Sequence, residues 1–65
     1  MTKSENKILK FIRENPGASV VTITETLDLH KVYVQRILKK MHDQGLVSRV
    51  DPPPPLYYFN HKDEQ

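Results

Sequence analysis

The chain has 65 residues, ten Lys and Arg against eight Asp and Glu, and a net charge of +2. That length allows one small domain with a thin core, since a chain of this size hides only about 60% of the surface its unfolded form exposes. With 37% hydrophobic and 28% charged residues and no cysteine, the composition is that of a lean globular module rather than a disordered tail, and it excludes a disulfide framework, a thiolate zinc site and a cysteine nucleophile. No apolar run approaches the roughly 18 residues of a membrane span, and the N-terminus lacks a signal-peptide core. An intracellular location, cytoplasmic or nuclear, is the expectation, with no membrane partner.

Thr2 and Glu5 have the spacing of a capping box, and Ile8, Leu9 and Ile12 behind them give a short apolar face that Phe11 flanks. Asn15-Pro16-Gly17 ends this first helix, because Pro16 cannot continue it and Gly17 supplies turn freedom. Ala18 to Val21 is small and β-branched, suited to a very short strand. Thr22 and Glu25 read as a second capping box, opening a helix of about two turns through Leu27. Asp28-Leu29-His30 then connects tightly to a longer helix, which makes a helix-turn-helix.

In that longer helix Val34, Ile37, Leu38 and Met41 recur at i, i+3, i+4 and i+7, one apolar stripe. At about 100° per residue, Lys31, Gln35, Arg36 and Lys39 fall on its flank and back. Four cations and no acid lie between Leu29 and His42. Gly45 sits where a left-handed C-terminal cap is wanted. Leu46 to Val50 and Leu56 to Phe59 read as two strands, joined by the loop Asp51 to Pro55. The expected fold is therefore α+β: a winged helix-turn-helix over 1–60, three helices with a small antiparallel β-sheet. A polar, frayed tail at 61–65 follows it. Ile8, Leu9, Ile12, Val34, Ile37, Leu38, Met41, Val47 and Phe59 should form the core.

An apolar underside and a cationic, amide-bearing upper side suit a helix that recognises nucleic acid. The same pattern also fits an ordinary solvated face. If right-handed DNA is the target, the helix enters the major groove and Gln35 and Arg36 read adenine and guanine edges. Tyr33 and Val32 lie outside the apolar stripe; Tyr33 packs on the second helix or meets a ligand or second copy. Pro52 to Pro55 cannot donate ladder hydrogen bonds, so the hairpin loop is stiff. Pro54-Pro55-Leu56-Tyr57 also spells a PPxY ligand for WW domains, which requires a free, extended segment. Tyr57 and Phe59 alternate like core-facing strand residues, which argues against that use.

Lys31, Arg36 and the Pro54-Pro55-Leu56-Tyr57 wing together resemble the Zα domains, winged helices that bind left-handed Z-DNA and Z-RNA. The family pattern sets a Lys, an Asn four residues later with an Arg beside it, a Tyr four after the Asn, and a wing ending Pro-Pro-x-Trp. Leu27, Val34, Ile37, Leu38, Gly45 and Val47 match its scaffold, and the resemblance spans about residues 5 to 59. Gln35 stands at the Asn position, Lys39 at the Tyr and Tyr57 at the Trp. The resemblance implies shape recognition of a zigzag phosphate backbone by Lys31, Gln35, Arg36 and Lys39, braced by Pro54, Pro55 and Tyr57. It implies a double-stranded nucleic-acid partner in the Z-form, bound by a monomer or weak dimer, in innate immunity or its viral antagonism. Some family members without the Tyr serve in protein contacts, so an interaction module is a further reading.

The two departures have physical consequences. Gln35 keeps an amide, but its extra methylene moves that amide by about 1.5 Å. Lys39 adds a phosphate-seeking charge, and its stem can lie over the Tyr57 ring in a cation–π arrangement worth about 0.5–1 kcal/mol. His30, His42 and His61 lack metal-ligand spacing, the first two being about three helical turns apart. No nucleophile with its base and no glycine-rich loop is present. Neither an enzyme, a cofactor, a metal nor a small-molecule substrate is expected.

Overall fold

The structure, a computed structural model, describes residues 2–51 and 53–60; the tail expected at 61–65 lies outside the described residues. The order is α1 (Lys3–Glu14), β1 (Ala18–Ser19), α2 (Val20–Leu27), α3 (Lys31–Asp43), β2 (Val47–Val50) and β3 (Leu56–Phe59). The three strands form one antiparallel sheet in the order β1-β3-β2. This is the winged helix-turn-helix the hydrophobic pattern predicts.

The first capping box forms in full. Thr2 Oγ1 accepts the Glu5 N–H at 3.2 Å, and the Glu5 carboxylate accepts the Thr2 N–H at 2.8 Å. The second expected box does not form. Ser19 is the N-cap of α2, its hydroxyl accepting the Thr22 N–H at 3.2 Å, so Thr22 lies inside the first turn. The expected strand over Ala18 to Val21 is correspondingly shorter. Only Ala18 and Ser19 pair with β3, opposite Tyr57 and Leu56, and Val20 and Val21 enter the helix. Two hydroxyl residues three apart are both good caps, and the one nearer the end of the sheet wins.

Asp28 ends α2 in the left-handed region (φ 54°), where short polar side chains are tolerated. Gly45 closes α3 at φ +77°, with Leu46 N–H donating to Met41 C=O at 2.9 Å, a Schellman closure. Gly17, at φ +83°, donates its N–H to Tyr57 C=O at 3.0 Å, extending the β1–β3 ladder. A Cβ there would stand 3.2 Å from the Tyr58 hydroxyl, so both conformation and space favour glycine.

Ile8, Ile12, Ile23, Val34, Leu38, Met41 and Val47 are fully buried, joined by Ala18, Ile37 and Tyr57. This corrects the expected core in two ways. Leu9 and Phe59 are only partly buried and pack against its edge, and Ile23, Ala18 and Tyr57 enter it. Tyr57 enters because β3 is the middle strand, which places that side chain under the helices.

Glu5 has a second partner. Lys40 Nζ of α3 donates to its carboxylate at 2.9 Å, tying the start of α1 to the second half of α3. Lys40 foremost, then the Thr2 N–H, holds the Glu5 carboxyl below the usual carboxylate range. A lowered folded value stabilises the fold above the unfolded value of about 4.3, and that contribution is lost as pH falls through the folded value. Glu5→Gln is therefore expected to lower Tm at pH 7, and the gap to the parent should narrow below about pH 4. Thermal melts at the two pH values check this.

Candidate nucleic-acid interface

α3 and the hairpin of β2 and β3 face each other across a groove. One wall is Gln35, Leu38, Lys39, His42 and Asp43 of α3. The other is Arg49, Pro55 and Tyr57, with Val20 of α2 completing the lining. The helix presents Gln35, Lys39 and His42 there because the stripe one step round, Val34, Ile37, Leu38 and Met41, is taken up by the core.

Of the seven residues singled out from the sequence, the groove gathers Gln35, Lys39, Pro55 and Tyr57. Lys31, Arg36 and Pro54 are exposed but outside its lining. Lys31 lies one turn before Gln35 on the same helix face, prolonging the groove's helical wall. Arg36 is one residue round, in line with Lys40, which α1 has already engaged through Glu5. Among the described residues Lys31, Arg36 and Lys39 form no ion pair.

Tyr57 has a double position. It is 7% exposed and belongs to the core, yet it also lines the groove. Its hydroxyl forms no hydrogen bond among the described residues, and no buried polar side-chain atom there is left without a partner. The hydroxyl therefore reaches solvent, at the groove wall. The expected cation–π contact of Lys39 with Tyr57 is not formed, because the ring is packed into the core. The contact present is Arg13 over Phe59, at 5.3 Å.

The PPxY reading is set aside for the same reason. Leu56 and Tyr57 are paired on both sides in the sheet and are not a free, extended segment. Pro53 and Pro54, joined by a cis peptide bond, are exposed, while Pro55 is half-buried at the groove. Tyr33 is partly buried against the core, and Val32 is exposed. No helix among the described residues is long and apolar enough to cross a membrane.

Arg49 is a cationic groove residue that the sequence pattern did not single out, and it did not single out Val20, His42 and Asp43 of the lining either. Arg49 pairs opposite Tyr57 and lies two residues beyond buried Val47, so it is on the inward-facing side of β2 where helix cover ends. The signal was the strand alternation itself, with a cation at an inward position.

The model of the MarR family matches residues 1–55 of this chain. No curated protein matches it. Among solved structures it is similar to the Zalpha domain of Carassius auratus PKZ in complex with Z-DNA: 28% identity, TM-score 0.84, 89% of this chain and 94% of that one. The Zalpha domain of Cyprinid Herpesvirus3 ORF112, whose binding mode to Z-DNA is described, gives 29% identity, TM-score 0.79, and coverage of 89% and 93%. The MarR family transcription regulator SP03579 gives 25% identity and TM-score 0.86, over 98% of this chain but 45% of that one. This chain thus spans less than half of that regulator. The fold common to all of them is a winged-helix DNA-binding fold.

Proposed function

The chain belongs to the MarR family, and we propose that within that winged-helix fold it is a nucleic-acid-binding module that recognises left-handed Z-form DNA or RNA by the shape of its backbone. The observation that carries this reading is the shared groove: Gln35 and Lys39 on one wall, Pro55 and Tyr57 on the other. Lys31, Arg36 and Lys39 neutralise successive phosphates, Gln35 supplies an amide donor, and Pro54 and Pro55 hold the wing stiff against the strand. Tyr57 offers its hydroxyl from a ring that the core keeps still. Two of the similar structures, at 28% and 29% identity, are Zalpha domains described with Z-DNA, and that likeness supports the Z-form reading. Antiviral sensing or its viral antagonism is the setting that goes with this reading.

Family membership favours one second reading, a binder of right-handed DNA. There α3 enters the major groove, and exposed Gln35 and Arg36 read adenine and guanine edges. Circular dichroism of an alternating CG duplex titrated with the domain separates the two. Inversion to the left-handed spectrum is the expected result. Saturable binding with an unchanged right-handed spectrum would replace this proposal with the second one, and no binding to any duplex would end both.

A further inference from the structure

Arg49 and Asp51 stand on the wing side of the groove, and nothing in the reading above uses them. Arg49 Nε lies 3.7 Å from Asp51 Oδ2, and both side chains are about half exposed or more, at 48% and 62%. Among the described residues Arg49 is also the wing's one cation in the groove lining, directly across the ladder from Tyr57. The acid partner sits outside that lining, at the edge of the hairpin loop. An exposed pair this long is weak, because water screens it and two side chains must be held in place. A guanidinium bonds a phosphate as readily as a carboxylate, in the same fork geometry.

We propose that Arg49 is a wing-side phosphate contact and that Asp51 is its internal competitor, holding the guanidinium until a nucleic-acid backbone displaces the carboxylate. This inference rests on the nucleic-acid reading above but not on the handedness of the duplex. The groove then grips one sugar-phosphate strand with a cation from each wall, Lys39 from α3 and Arg49 from β2. Asp51 sets how much of that grip is available. When phosphate takes the guanidinium, the freed carboxylate draws a cation from solution, so the net ion release on binding is smaller than the number of phosphates engaged would give.

The test is fluorescence anisotropy with an alternating CG duplex at several salt concentrations, on the parent chain, Arg49→Ala, Asp51→Asn and the double variant. Arg49→Ala is expected to weaken binding roughly three- to tenfold and to flatten the log–log salt slope by less than about 1, because the cation uptake at Asp51 is lost with the contact. Asp51→Asn should tighten binding by roughly two- to threefold and steepen the slope, and this gain should vanish in the Arg49→Ala background. Thermal melts accompany each variant, and Arg49→Lys, which retains charge without the fork, should recover part of the loss. An equal gain from Asp51→Asn with and without Arg49 would overturn the competition, leaving Asp51 a plain repelling charge. Unchanged affinity and slope in folded Arg49→Ala would overturn the contact while the function stands. A parent chain that binds no duplex would remove both.

Discussion

Tyr57→Ala is expected to leave most of the chain unfolded at 25 °C, whereas Tyr57→Phe should melt within a few degrees of the parent. The alanine variant removes a large ring from the middle strand of the sheet, where it is 7% exposed among Ile8, Ile12, Leu38 and Val47. Truncations of buried aromatics cost about 3–5 kcal/mol, transfer loss and cavity together. A core of this size rarely supplies more than about 3–5 kcal/mol of net stability. The loss therefore consumes most of what there is. The phenylalanine variant keeps the ring and deletes only a hydroxyl that already reaches solvent, a change of about 0.5 kcal/mol or less. Urea denaturation followed by far-ultraviolet circular dichroism measures both. Tyr57→Phe then isolates the functional half of the residue: loss of a hydrogen bond from its hydroxyl to an anionic phosphate should weaken duplex binding roughly ten- to hundredfold. Equal affinity of the two proteins would assign Tyr57 to the core alone.

This double position explains why some of the interface was legible in the sequence and some was not. Features set by neighbours along the chain could be read directly. The Thr2–Glu5 box, the Val34-Ile37-Leu38-Met41 stripe and the Gly45 cap each depend on residues within about two turns. The start of α2 was local too, yet ambiguous, since Ser19 and Thr22 both have cap chemistry and only the reach of β3 decides between them. Arg49 and the burial of Tyr57 are of another kind. Both follow from β3 lying between β1 and β2, which pairs Ala18 near the start of the chain with Tyr57 near its end. A cation on a strand says nothing of what it faces until that order is known. Gln35 and Lys39 lay on a face that periodicity gives at once; that they share a groove with Pro55 required the hairpin to fold back on α3.

Replacing Lys31, Arg36 and Lys39 together by alanine should reduce duplex affinity by roughly 30- to 1,000-fold near 0.1 M salt while the fold persists. All three side chains are exposed, none is ion-paired among the described residues, and alanine is the strongest helix former, so α3 is not weakened. Each phosphate left without its cation should also flatten the log–log dependence on salt by about 1, so the slope should fall by about 3. Net charge alone must be separated from placement, because removing three cations from a chain of net charge +2 repels any duplex. The control is Lys3, Lys7 and Lys10 to alanine on α1, also exposed, which makes the same change in net charge away from the groove. If the α3 face grips the backbone, the control slope should change by less than about 1. Equal losses in the two triple variants would mean that the duplex responds to overall charge and that the α3 face holds no particular strand. Lys40 belongs in neither set, since it bonds Glu5 and its removal would loosen the fold instead.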